Sequence, residues 1–113
     1  MSKRNDIDLI RDILEAANRV LVYTKNLSYE NFTKDFKTQD AVVRNLEIMG
    51  EAAKCLTEET RIKYSNIVWS DLARARDKLI HHYSGVNFDI VWDIITESLP
   101  ELSSQLTKII EKN

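Results

Sequence analysis

Glycine and proline are nearly absent: two glycines and one proline in 113 residues. Hairpins, bulges and tight β-turns draw on these two residue types, so an all-β or alternating α/β architecture would lack its punctuation. The expectation is an all-α fold. One cysteine, Cys55, excludes an internal disulfide framework and a cysteine-based zinc knuckle, and reads as a small buried hydrophobe in a reducing compartment. No long uncharged run is available for a membrane span, and the opening Met1-Ser2-Lys3-Arg4-Asn5-Asp6 has no apolar signal core behind it, so a soluble, cytoplasmic protein without a membrane partner is expected. A large excess of one charge is also missing. Sixteen basic against eighteen acidic residues give a net charge of −2, which argues against duplex DNA as a partner held by phosphate neutralisation and confines any nucleic-acid site to a local patch.

What is present is ordinary globular material. Hydrophobic residues make up 43% and charged residues 30%, unlike the depleted, one-signed composition of disordered chains. The length suits one hydrophobic core, so residues 1–113 are read as a single domain.

Apolar periodicity divides the chain into four long segments. From Asp6 to about Asn26, Ile10, Ile13, Leu14, Ala17, Val20 and Leu21 recur at three- and four-residue steps. A polar connector, Ser28-Tyr29-Glu30-Asn31-Phe32, comes next, with Phe32 and Phe36 spaced to dock a short helix. The stripe resumes from Thr38 to Leu56 as Val42, Leu46, Met49, Ala53 and Leu56. Gly50, in mid-helix, costs about 1 kcal/mol relative to alanine and so predicts the close approach of another helix or subunit. After a short helical turn within 58–65, Ser70 is expected to cap a third helix with Asp71 in its first turn, Leu72, Ala75, Leu79 and His82 on one face, and Gly85 as its left-handed stop. Asn87 then caps a fourth, in which Val91, Ile95, Leu99, Leu102, Leu106 and Ile109 keep phase across Pro100, predicting one proline-kinked helix. Four amphipathic segments with one or two short extra helices predict an antiparallel four-helix bundle.

No Gly-rich phosphate loop, nucleophile elbow or His-Glu zinc helix occurs. Both histidines sit in Arg76-Asp77-Lys78-Leu79-Ile80-His81-His82-Tyr83. An imidazole to move protons, a guanidinium to hold phosphate, and a carboxylate or phenol to orient them are the needs of metal-independent RNA cleavage, in which the ribose 2′-hydroxyl is the nucleophile. In a straight helix Arg76 and His81 point about 140° apart and Tyr83 about 160° from His81. Either the helix end near Gly85 is distorted, or a twofold axis brings two copies of the segment together; the second is favoured. Asp77, four residues before His81, is placed to accept a hydrogen bond from it. On the residues alone an equal reading stands beside this one: Arg76 and Asp77 as solvated surface groups, and histidines that merely close a helix.

Glu47 and Glu51 are metal-capable in spacing, but no histidine accompanies them, and Arg44 and Lys54 are expected to pair with them on a solvated or interface face. Trp69 and Trp92 read as core or interface anchors ahead of base-stacking platforms. His82 reads as a packed helix-end residue, since adjacent histidines diverge on a helix and do not share a metal.

The segment from Arg76 to Tyr83 resembles the R-x(4)-H-x-Y signature of the HepT-like HEPN ribonuclease toxins, and Gly85-Val86 with Ile90-Val91-Trp92 resembles the residues just beyond that signature in the family. A second block, Ala41-Val42-Val43-Arg44-Asn45-Leu46-Glu47-Ile48-Met49-Gly50-Glu51-Ala52-Ala53-Lys54, is similar to the family's helix around R-N-L-E-x-x-G-E-A. The likeness runs from Asp6 to about Leu106. It implies a homodimer whose Arg76 and His81, supported by Asp77 and Tyr83, face one cleft and cut RNA with no cofactor or metal. It also implies an MntA-like minimal nucleotidyltransferase antitoxin that silences the toxin by transferring AMP to Tyr83. Two departures stand out: Asp77 where many members have Asn, and Tyr64-Ser65-Asn66-Ile67-Val68-Trp69 where members often carry prolines. A non-catalytic helical adaptor for such a nucleotidyltransferase is the alternative function.

Overall fold

The chain's computed structural model describes residues 4–80 and 85–113, with all their side chains except those of Lys78 and Ile80. Among the described residues seven α-helices run in order: α1 (Asp6–Thr24), α2 (Tyr29–Phe32), α3 (Phe36–Cys55), α4 (Glu58–Lys63), α5 (Trp69–Ile80), α6 (Phe88–Asp93) and α7 (Leu99–Glu111). A π-helical turn, Ile94–Ser98, joins α6 to α7. Four long segments with two short helices between them form the expected all-α bundle, and there is no strand among the described residues. Nor is any helix among them long and apolar enough to cross a membrane.

Side-chain caps start the helices. The Asn5 carboxamide accepts from the Asp8 amide at 2.9 Å at the head of α1, and Asp35 does the same for Thr38 at 3.0 Å in α3. Asn87 accepts from the amides of Asp89 and Ile90 at α6, as its sequence position predicts. Helix α5 departs from expectation by starting at Trp69, which leaves Ser70 inside the first turn. The reason is the tryptophan: it is buried, its indole N–H donates to the Tyr64 carbonyl at 3.2 Å, and the Asp71 amide bonds the Val68 carbonyl at 3.1 Å.

The predicted stripes meet in one core. Ile10, Ile13, Ala17 and Val20 of α1, Val42, Leu46 and Met49 of α3, and Leu99, Leu102 and Leu106 of α7 are all buried. Helix α1 packs against α3 and α7, and α5 packs on the other side of α3. Phe32 is fully buried between Phe88, edge to face at 5.8 Å, and Trp92 at 5.2 Å, so α2 plugs the bundle beside α6. The Gln39 amide ties that plug to α3 by donating to the Phe32 carbonyl at 2.9 Å. Phe36, expected to dock with it, is 74% exposed at the start of α3. A break in the helix between the two aromatics sets them on separate helices, so their i,i+4 spacing has no meaning.

Cys55 is exposed rather than buried. It lies about 140° around the helix from the middle of the stripe that carries Leu46, Met49 and Ala53.

Pro100 stands in the first turn of α7, directly after the π-helical turn. A proline there has no N–H to give the preceding turn, and its ring crowds the carbonyl four residues back; a widened turn relieves both. The apolar stripe therefore continues unbroken from Val91 to Ile109.

Candidate functional site

Helix α5 carries Arg76 and Asp77, and where it packs on α3 is decided by Gly50. A Cβ built on Gly50 would stand 2.1 Å from the Arg76 Cβ and 2.7 Å from the Leu72 carbonyl oxygen. Only hydrogen fits between the two helices at this level. The close approach predicted from a glycine in mid-helix is thus found, and the side chain it accommodates is that of the candidate catalytic arginine.

The Arg76 side chain is 26% exposed, unusually enclosed for an arginine. Its Nη1 donates to Asp77 Oδ1 at 3.3 Å. Its Nε is buried and has no hydrogen-bond acceptor among the described residues. Asp77 Oδ1 also accepts from the Lys54 ammonium across the α3–α5 seam. The hydrogen bond from Lys54, followed by that from Arg76, outweighs the desolvation of the carboxylate and holds Asp77 below the usual carboxylate range. Asp77 is therefore an anion shared by two cations.

Lys54 thus departs from the partners expected of it. Glu47 and Glu51 lie on its own helix, but its ion pair goes to α5. Position explains this: Lys54 is one turn beyond Gly50, on the strip of α3 that meets α5, whereas Glu51 is exposed away from it. The sequence pattern does not by itself assign Lys54 to the arginine's surroundings. The one signal it offers is the i+4 spacing of Lys54 from Gly50, the residue marked as a contact point.

Trp69 and Trp92 are structural, as their anchor reading holds. Trp69 is buried, and Trp92 packs in tilted contact against Phe32 and Tyr29. His81, His82 and Tyr83 lie outside the described residues. Gly85 comes after them with φ +106°, the positive-φ backbone expected of it. Ala75 and Leu79 of α5 face Val86, Ile90, Val91 and Ile94 across an apolar groove of about 90 Å3, and Ile90 is 49% exposed.

An enclosed arginine, braced by a carboxylate and seated on a glycine, stands at the position that the R-x(4)-H-x-Y resemblance marks. Comparison with known proteins decides the family, because a model described as ribonuclease HepT-like matches residues 13–109. The chain belongs to the HepT-like ribonuclease family. Among its curated relatives, "Putative RNase MJ0127" of Methanocaldococcus jannaschii is 41% identical over 98% of this chain and 92% of its own length. "Putative RNase TTE0752" of Caldanaerobacter subterraneus is 43% identical over 91% and 92%. "Probable ribonuclease HepT" of Thermococcus cleftensis is 39% identical over 95% and 97%. No solved structure matches the chain. The HepT-like assignment covers both sequence blocks that carried the resemblance, the α3 block at 41–54 and the motif at 76–83.

Proposed function

We propose that this HepT-like protein is a single-domain, metal-independent endoribonuclease, the toxin of a HepT/MntA-type pair, acting as a homodimer in the cytoplasm. The observation that carries the reading is the enclosure of Arg76. An arginine side chain three-quarters withdrawn from water, with its Nε buried and unpaired among the described residues, is costly for a merely solvated surface group. It suits a group whose task is to meet phosphate.

In this reading Arg76 binds the non-bridging oxygens of the scissile phosphate in its planar fork and offsets the charge that builds on pentavalent phosphorus. His81 takes the proton from the ribose 2′-hydroxyl or returns one to the departing 5′-oxygen, and water exchanges the other proton. The 2′-oxygen forms its bond to phosphorus as the P–O5′ bond breaks, leaving a 2′,3′-cyclic phosphate and a free 5′-hydroxyl. Asp77 orients the arginine. Tyr83 lines the cleft; there its phenolic oxygen attacks the α-phosphorus of ATP held by an MntA-like nucleotidyltransferase, pyrophosphate leaves, and the attached AMP blocks RNA.

The homodimer is supported by the groove between α5 and α6. Helix α5 packs chiefly on α3, and of the groove's apolar side chains Ile90 is exposed while Ala75, Leu79 and Ile94 are only partly buried, which suits burial against a second copy.

The test is cleavage of tRNA and mRNA by the purified protein, free of its partner, in chelator. Wild type is expected to cut and to leave cyclic phosphate ends, with Arg76→Ala and His81→Ala each slower by about 10²–10⁴. Equal cutting by wild type and variants rejects the site, and absence of cutting by the wild type leaves the adaptor reading standing.

A further inference from the structure

Arg76 is fixed at its root and, less directly, at its tip. Gly50 sets the root, since the arginine's Cβ occupies the space a side chain at position 50 would need. The tip is held through Nη1 alone among the described residues, because Nε is buried without an acceptor there. That hold depends on Asp77, the next residue in the chain. Consecutive side chains leave a helix about 100° apart, so Asp77 does not naturally lie against Arg76. What draws it there comes from the other helix: the Lys54 ammonium bonds the same Oδ1 that receives Nη1.

We infer that Lys54 is a positioning residue, which through Asp77 orients the Arg76 guanidinium for phosphate. The inference rests on the proposed role of Arg76 and adds to it a residue outside the R-x(4)-H-x-Y motif. Two bland roles for Lys54 make different predictions. As a simple surface ion pair, with both side chains 41% exposed, it would contribute little to stability and nothing to the arginine. As a direct phosphate contact, it would act on RNA affinity and its salt dependence.

The experiment compares the full-length wild type with Lys54→Ala and Lys54→Arg, both at an exposed position that leaves the core untouched. The first readout is the Arg76 Nε–H resonance in a 15N-labelled sample without RNA. A sharp, slowly exchanging signal is expected in the wild type and in Lys54→Arg, with broadening and faster exchange in Lys54→Ala. The second is turnover: in Lys54→Ala kcat falls about 10- to 100-fold with KM and its salt slope unchanged, and Lys54→Arg recovers most of the loss. An unaltered Nε–H signal in Lys54→Ala overturns the inference. So does a raised KM whose salt slope drops by about one, the mark of a direct phosphate contact. If the wild type cuts no RNA, the catalytic reading of Arg76 fails by itself, and the resonance still decides whether Lys54 controls the arginine.

Discussion

The Asp6 carboxylate, in the first turn of α1, reaches the distant start of α4, where it accepts from the Thr57 amide at 3.3 Å and from the hydroxyls of Thr57 and Thr60. Burial raises its pKa, but the hydrogen bonds from Thr57 and Thr60, with the charge of Arg61, outweigh it and leave the group below its ordinary value. The folded state thus prefers the ionised form. Its contribution is complete above the unfolded-state carboxylate range, near pH 4, and is lost as pH falls through the lower folded value. Asp6→Ala is expected to cost about 1–2 kcal/mol at neutral pH in urea unfolding, with the gap to wild type narrowing below about pH 4. A gap that stays constant down to pH 2 would show that the carboxylate's charge is irrelevant. Such a long-range partner leaves no trace in local sequence, and Lys54 shows only its spacing from Gly50, because its ion pair, like the exposure of Cys55, depends on what lies opposite. Asn87 and Gly85 are different: one caps α6 with its own side chain and the other takes a positive φ, outcomes that rest on neighbours in the chain and so are legible from it.

At the scale of helices, the four apolar stripes are legible because burial keeps a 3.6-residue period that the sequence displays directly. The π-helical turn is harder to read, although its trace is there: Val91, Ile95 and Leu99 succeed one another at steps of four, the spacing of a widened turn, before the alternating fours and threes of α7. Packing between elements leaves a fainter mark, of which Gly50 is the clearest example. A change to alanine there gains about 1 kcal/mol of helix propensity and, against this, places a methyl group 2.1 Å from the Arg76 Cβ. The obstructing atoms are a Cβ and a backbone oxygen, which move only if α5 moves as a unit. Overpacking of this kind costs about 1–3 kcal/mol, so with the propensity gain set against it Gly50→Ala should be destabilised by up to about 2 kcal/mol overall, measurable as a lower melting temperature. Because the shift displaces Arg76, cleavage should fall further than the loss of folded protein explains. A stabilised Gly50→Ala would mean that the helices are not in contact at this level.

For the whole molecule, the motif's spacing poses an angular problem. One straight helix would aim Arg76 and His81 about 140° apart, and α5 is helical through Ile80, the last described residue before the histidine. In the proposed homodimer, a second protomer docked on the groove lined by Leu79, Ile90 and Ile94 would provide another route, with the arginine of one chain meeting the histidine of the other. Mixing two inactive proteins tests this directly. Arg76→Ala retains His81, and His81→Ala retains Arg76. After unfolding and refolding together in equal amounts, about half of the dimers should be hybrids, each with one complete arginine–histidine pair across the axis, so activity should return to about a quarter of wild type. A pair formed within one chain would be incomplete in every hybrid, and the mixture would stay as inert as its parents. Leu79→Asp, which puts a charge in the groove, should yield monomers by sedimentation and abolish the recovery, because a histidine without a partner's arginine has no phosphate to act on.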